Sequence, residues 1–173
     1  MQRTEESELV KELKDENVRK VFQKVFDNQT IQTIHSLAMK GHFNHLESLI
    51  SEGKEALVFR AVDNAGNFKA VKVYKITAST FHKMLPYIQG DPRFKRVKHE
   101  KQDLVMEWCR KEFKNLELCR IAKVPAPLPL AFKNNALVME FIGSNGNPAP
   151  VLKTVVSKLD WQNVYGQVIE GLA

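Results

Sequence analysis

The stretch Ala70-Val71-Lys72-Val73-Tyr74 places a lysine in the middle of an apolar, largely β-branched segment. This composition predicts a β-strand over residues 68–74. The residues beside Lys72 are apolar, and the segment has too few charges to form the outer face of a sheet. Lys72 therefore needs an anionic partner, unless it lies on an edge strand with its ammonium group in water.

The anion is predicted on a helix further along the chain. Glu112 lies one helical turn from both Trp108 and Leu116, so its carboxylate falls on the apolar stripe of that helix. Burying an isolated charge costs several kcal/mol, so the facing sheet should supply a cation. We predict that Lys72 and Glu112 form a buried or half-buried ion pair, with a peripheral position of Glu112 as the structural alternative.

The segments around this pair predict an α+β fold. Runs rich in β-branched and aromatic residues at 46–50, 56–62 and 68–74 predict an antiparallel β-meander, with a hairpin turn at 63–67. Residues 136–142 predict a further, buried strand. Alternate prolines within 124–129 end the helix that carries Glu112, because proline cannot continue a helix.

Helices are predicted at both ends of the chain. Apolar residues recur at helical spacing within residues 5–41, where Thr30 is the predicted cap of a second helix and Gly41 its terminator. Asp160 is predicted to cap a last helix that runs to Ala173. The chain then divides into a helical extension (1–44), a lobe of sheet and helix (45–142), and a linker with the first helix of a second lobe (143–173).

The composition is that of a folded protein, with 173 residues, 43% hydrophobic and 27% charged. No run approaches the roughly 18 apolar residues of a membrane span, and the charged amino terminus lacks the apolar region of a signal peptide. We therefore expect no membrane partner and a cytoplasmic location. Cys109 and Cys119 fall about 15 Å apart on one predicted helix, too far to form a disulfide, and are interpreted as structural thiols.

A short loop between two predicted strands is a weaker candidate for chemistry. Ser51-Glu52-Gly53-Lys54-Glu55-Ala56 combines a glycine, through which backbone N–H groups can approach an anion, with hydroxyl and ammonium donors. Such a loop can cradle a triphosphate. With Gly53 as its only glycine, it departs from the glycine-rich pattern of protein kinases and taken alone is compatible with an ordinary turn.

Five blocks taken together resemble the ordered motif set of RIO kinases, type-one branch, over residues 17–173. They are Ser51-Glu52-Gly53-Lys54-Glu55-Ala56, Ala70-Val71-Lys72-Val73-Tyr74, Tyr87-Ile88-Gln89-Gly90-Asp91-Pro92-Arg93-Phe94, Lys111-Glu112-Phe113-Lys114-Asn115-Leu116, and Met139-Glu140-Phe141-Ile142-Gly143 followed by Pro148-Ala149-Pro150. Their common order makes coincidence a poor explanation. The resemblance implies that residues 45–142 form a protein-kinase-like amino-terminal lobe.

The resemblance also implies roles for individual residues. Lys72 would contact ATP phosphates with Glu112 as its helix partner, Met139 would be the gatekeeper, and the Glu140 carbonyl and Ile142 amide would bond adenine at the hinge between the lobes. Residues 81–101 would form a mobile loop. The remaining positions implied to contact the nucleotide belong to the phosphate loop and the strands beside it: Ser51, Gly53, Lys54, Glu55, Ala56, Val58 and Ala70.

By the same resemblance, the complete protein would use ATP and Mg²⁺ for serine phosphorylation, or for ATP hydrolysis coupled to maturation of the small ribosomal subunit. A protein substrate and the pre-ribosomal particle would be its partners. The catalytic aspartate and the metal ligands are expected beyond Ala173, because Asp160 and Glu170 are the only acidic residues after Phe141. The chain alone is therefore expected to hold no metal and to transfer no phosphate.

A noncatalytic function remains the alternative. The chain carries a net charge of +6, and basic residues gather between Arg93 and Lys101. This segment could bind rRNA, in which case the chain would act as an RNA- or ribosome-binding module, or it could be a solvated surface, since no aromatic stacking pattern accompanies it.

Overall fold

The computed structural model describes residues 26–76 and 101–172. The predicted helical segment before residue 26, the motif at 87–94, and nearly all of the basic segment and the predicted mobile loop lie outside the described residues. The regular elements are helix α1 (Asn28–Met39), strands β1 (His45–Glu52), β2 (Ala56–Val62) and β3 (Phe68–Tyr74), helix α2 (Lys101–Ile121), strands β4 (Pro129–Lys133) and β5 (Ala136–Glu140), the short pair β6 (Gly143–Ser144) and β7 (Asn147–Pro148), and helix α3 (Trp161–Leu172).

Five of the strands form one antiparallel sheet in the order β1-β2-β3-β5-β4. The predicted strands β2 and β3 have the expected bounds, whereas β5 ends at Glu140, two residues earlier than expected. Strand β4 was not predicted, because Pro129, its first residue, was interpreted only as part of the run that ends the preceding helix. Pro129 is the first residue of an edge strand, a position that tolerates proline because no neighbouring strand requires its N–H.

The sheet has a helix on each face, and its alternating side chains separate the two cores. One face, called here the α1 face, carries Val71 and Val73 of the central strand, which pack with Ile34 and Leu37 of α1. The opposite face, called here the Lys72 face, carries Tyr74, which packs with the buried side chains of α2. The fold is therefore α+β, as predicted, with the central strand buried on both sides.

Helix α1 begins one turn earlier than expected. Its cap is Asp27, whose carboxylate accepts a hydrogen bond from the Thr30 amide at 2.8 Å. The prediction that Thr30 is the cap was wrong, because Thr30 lies inside the helix and is almost fully buried against the sheet. Gly41 does end the helix: it has φ +80° and its amide bonds the Ala38 carbonyl, the left-handed closure that glycine permits.

The last residue of β4 and the two residues of the β4–β5 turn bind α1 along one of its sides. Lys133 donates to Ser36 at 2.6 Å, Asn134 to Thr33 at 2.9 Å, and Asn135 to Thr30 at 2.9 Å. The acceptors are three residues apart on the helix and so share one face. This hydrogen-bonded ladder sets the position of α1 along the sheet, which apolar packing alone specifies less strictly.

Helix α2 buries the first part of its apolar stripe and with it Cys109, which is fully buried, whereas Cys119 is half-buried. Burial raises the pKa of the Cys109 thiol to about 12, and the nearby charge of Lys72 opposes this only in part. Both cysteines are free, as expected. Cys109 acts as a small apolar side chain in the core.

Asp160 caps α3, as predicted, by accepting hydrogen bonds from the amides of Gln162 at 3.0 Å and Asn163 at 3.3 Å. The apolar stripe of α3 is largely exposed, with Tyr165 67% and Val168 52% accessible. Within residues 26–76 and 101–172, no helix has the length and apolar character that crossing a bilayer requires.

Replacement of Ile34 by alanine should reduce the free energy of unfolding by about 2–5 kcal/mol, because it opens a cavity between α1 and the sheet. Met39→Ala, at a position of the same helix that is 74% exposed, is the matched control and should cost less than about 0.5 kcal/mol. Urea denaturation of both variants measures the difference. Equal, small losses would contradict the packing of α1 on the sheet.

The Cys109 thiol should resist modification in the folded chain. With a pKa of about 12, only about one thiol in ten thousand is thiolate at pH 8, and the thiolate is the reactive species. In the Cys109→Ala variant the remaining thiol is Cys119, and a disulfide reagent should label it quickly. In the Cys119→Ser variant the remaining thiol is Cys109, and the reagent should label it only when the chain unfolds. Rapid labelling of native Cys119→Ser would contradict the burial of Cys109.

Candidate functional site

The predicted ion pair forms at the centre of the Lys72 face. Lys72 Nζ lies 2.9 Å from Oε1 and 2.8 Å from Oε2 of Glu112, so one ammonium group donates to both carboxylate oxygens. The two side chains are 24% and 26% exposed, which makes the pair half-buried. The pair joins β3 to α2 and keeps the lysine at the surface of the sheet, where its ammonium can also reach a ligand.

Tyr74, two residues after Lys72 on the same strand face, contacts the lysine ammonium through its ring. The Lys72 ammonium lies 5.0 Å from the centroid of the Tyr74 ring, within the range of a cation–π contact. Tyr74 is itself held by Asn135, which accepts from the Tyr74 amide through its carbonyl and donates from its side chain to the Tyr74 carbonyl, both at 2.9 Å. The same Asn135 side chain bonds Thr30 of α1, so contacts run continuously from one face of the sheet to the other.

A cavity of about 300 Å³ opens beside Lys72. The loop between β1 and β2 closes on itself through a 2.9 Å bond from the Gly53 amide to the Ala56 carbonyl, and the Lys75 amide bonds the Glu55 carbonyl at 2.8 Å. Six of the nucleotide-contact positions expected from the sequence, in this loop and at the start of β2, line the cavity together with Lys72. The lining residues are Ser51, Gly53, Lys54, Glu55, Ala56, Val58, Lys72, Tyr74 and Trp108.

An apolar row continues from Lys72 along the same face. Strand pairing places Val58 opposite Lys72, and Ala70 opposite Met139. Directly paired residues of an antiparallel sheet lie on the same face, so all four side chains share one surface. The row leads from the cavity toward the end of β5.

The chain beyond β5 forms the other end of this surface. Glu140 is bonded to Leu128, the residue before β4. Its amide donates to the Leu128 carbonyl at 2.8 Å, and its carboxylate accepts from the Leu128 amide at 3.1 Å. The Ile142 carbonyl accepts from the Ala149 amide at 2.9 Å. In the part of the chain that the structure describes, the Ile142 amide has no hydrogen-bond partner, and the side chain is 49% exposed.

Sequence reasoning missed a second charged residue on the Lys72 face. Arg60 is paired with Ala70 across the sheet. It bonds Glu47, lies over the ring of Phe68, and donates to the Gly146 carbonyl. An Asn-Gly turn at 145–146 was a usable signal for the β6–β7 hairpin, since both residues adopt positive φ, but nothing local pointed to Arg60 as its partner.

The described residues supply no ready-made site for a divalent cation. Within 26–76 and 101–172, no three histidine, cysteine, aspartate or glutamate side chains come close enough to hold a metal ion. Glu55 is the carboxylate among the residues that line the cavity, and Glu112 is engaged by Lys72 through both oxygens.

Comparison with known proteins identifies the family. The model of the RIO domain family matches residues 57–173. The chain is 46% identical over 131 residues to the RIO-type serine/threonine-protein kinase Rio1 of Haloferax volcanii, covering 76% of this chain and 45% of that protein. It is 38% identical over 155 residues to the Rio1 kinase of Methanocaldococcus jannaschii, covering 88% and 52%. The chain thus spans about half the length of these two relatives.

The fold comparison agrees. The crystal structure of the Rio2 kinase–ADP/Mg²⁺–phosphoaspartate complex from Chaetomium thermophilum matches with a TM-score of 0.59 at 20% identity, covering 81% of this chain and 39% of that one. A likeness at this identity shows the fold alone, which is that of a kinase. The RIO domain model matches more than half of the chain, and both relatives are Rio1 kinases. This chain therefore belongs to the RIO family of serine/threonine-protein kinases.

Proposed function

We propose that the described residues form the ATP-binding lobe of a RIO-type serine/threonine kinase or ATPase. The observation that carries the proposal is the bidentate Lys72–Glu112 pair beside the cavity lined by the Ser51 to Val58 loop. An ammonium group held by a helix carboxylate, next to a loop with exposed backbone and a second lysine, suits a polyphosphate.

The two ends of the Lys72 face would bind different parts of the nucleotide. Lys72 and Lys54 would donate to phosphate oxygens, while Val58, Ala70 and Met139 provide an apolar surface for the adenine ring. Ala70 lies about 7 Å from Lys72 along the strand, at the usual rise of about 3.3 Å per residue. The Ile142 amide, without a partner among the described residues, would donate to the ring edge.

The chemistry of this lobe would be electrostatic. Lys72 would offset phosphate charge, and Glu112 would hold the ammonium group in place so that little reorganisation is needed when the ligand enters. Magnesium, when bound, would neutralise further charge on the phosphates. Because the described residues contain no metal cluster, we propose that metal binding and phosphoryl transfer depend on residues outside this lobe.

For the whole protein, we propose ATP-dependent serine phosphorylation or ATP hydrolysis in small-ribosomal-subunit maturation, in the cytoplasm. The support is family membership. The alternative RNA-binding module stays a prediction, because its basic segment lies almost entirely outside the described residues.

Replacing Lys72 by alanine should weaken ATP binding to the purified chain by at least about 10-fold, since charge-assisted hydrogen bonds contribute about 1.5–3 kcal/mol. Glu112→Ala should weaken binding less, because the ammonium group remains but is no longer held. Isothermal titration with ATP measures both effects.

Lys114→Ala is the matched control for loss of charge, because Lys114 is an exposed lysine close to Glu112 on α2. It should leave the affinity unchanged. Equal weakening by Lys72→Ala and Lys114→Ala would show that net charge, and not the Lys72–Glu112 site, controls binding, and would overturn the proposal.

A further inference from the structure

Arg60 connects four segments at the end of the Lys72 face that lies away from the cavity. Its Nε donates to Glu47 of β1 at 2.9 Å, and its guanidinium group lies 5.1 Å from the centroid of the Phe68 ring of β3. Its Nη1 donates to the Gly146 carbonyl in the β6–β7 hairpin. Arg60 and Glu47 are each 25% exposed, so water only partly screens these contacts.

The β6–β7 hairpin fits closely around this side chain. Gly146 has φ +75°, and a Cβ there would lie 2.9 Å from Nη1 of Arg60 and 3.0 Å from the Phe68 ring. Phe68 in turn contacts Phe141, with ring centroids 5.7 Å apart. The turn of the hairpin is therefore held from two sides, by a guanidinium hydrogen bond and by an aromatic ring. A side chain at residue 146 would crowd both and would be strained at this positive φ.

The position of this hairpin determines the direction of the backbone after β5. The hairpin begins at Gly143, immediately after Ile142, and the Ile142 carbonyl is bonded to the Ala149 amide beyond its last strand. Residues 142–149 thus form a closed loop. Fixing Gly146 at its tip limits rotation of the Ile142 peptide at its base.

We propose that Arg60 is a positioning residue for the adenine end of the nucleotide site: by holding Gly146, it orients the Ile142 amide toward the ligand. The inference rests on the proposed function and extends it to a residue that does not touch the phosphate end. Arginine suits this role because its planar group directs Nε and Nη1 to two different acceptors at once, whereas the single ammonium group of lysine has no such fixed geometry.

The first experiment separates the two ends of the site with two probes, adenosine and inorganic triphosphate. Arg60→Met keeps much of the aliphatic stem but removes both hydrogen bonds. It should weaken adenosine binding by about 3- to 10-fold, in line with the loss of one neutral hydrogen bond from the Ile142 amide to the ring. Triphosphate binding at Lys72 should change less than 2-fold.

Two further variants complete the series. Arg60→Lys keeps the positive charge over Phe68 and should lose less adenosine affinity than Arg60→Met. It replaces the methionine variant in the test if that variant does not fold. Lys69→Met is the matched control, because Lys69 lies on the same sheet but on the α1 face, where it pairs with Asp63 at 3.3 Å. The control should bind both probes like the wild type.

Hydrogen exchange tests the positioning step itself. In both Arg60 variants the Ala149 amide should lose protection, while the amides of β3 keep theirs. Loss of adenosine affinity with unchanged exchange at Ala149 would mean that Arg60 contacts the ligand directly, and would overturn the positioning role. Equal weakening of both probes would indicate general destabilisation and would also overturn it.

The outcomes distinguish this inference from the proposed function. If the wild-type chain binds neither adenosine nor triphosphate, the proposed function itself fails. If the wild type binds both probes and Arg60→Met binds adenosine equally well, only the positioning role is lost.

Discussion

The Lys72–Glu112 ion pair is the interaction on which the site and much of the fold depend. A lysine at the centre of a sheet that is covered on both faces requires a nearby carboxylate, because an unpaired ammonium group beneath a helix would be costly. Glu112 meets this requirement with both oxygens and thereby sets the rotation of α2 on the sheet. Because the pair is half-buried, water screens its attraction only in part, and one side of the ammonium group stays open to a ligand.

The opposite face of the sheet contributes to the same arrangement. Helix α1 is bound by the Lys133 to Asn135 ladder, and Asn135 also holds both backbone polar groups of Tyr74. Tyr74 lies under the ammonium group of Lys72. The position of Lys72 therefore depends on buried hydrogen bonds on the far side of the sheet as well as on Glu112, and α1 is a structural part of the site's support.

The Lys72 face is organised along its length. One end has charge and an open loop around Lys72, the middle is apolar, and the other end is held by Arg60 and two phenylalanines. Two cations on one face of a sheet would repel each other if both were unpaired. Each has its own carboxylate, Glu112 for Lys72 and Glu47 for Arg60, so both positive charges are balanced locally.

The sequence by itself determined the elements that depend on local pattern: strands β2 and β3, the apolar stripe of α2, the closure of α1 at Gly41 and the cap at Asp160. It also determined the Lys72–Glu112 pair, because a charge within an apolar pattern signals that a partner exists. Five ordered motifs were enough for the family. The roles of the individual nucleotide-contact residues remain proposals.

Only the tertiary structure decided what depends on contacts between distant residues. Pro129 is tolerated because its strand lies at a sheet edge. Thr30 can be buried at little cost because Asn135, 105 residues away, donates a hydrogen bond to its hydroxyl. Arg60 acquires its role from Gly146, 86 residues further along the chain. Local periodicity shows that a side chain faces inward, but the identity of its partner depends on strand order and register, which are set by the packing of the whole sheet.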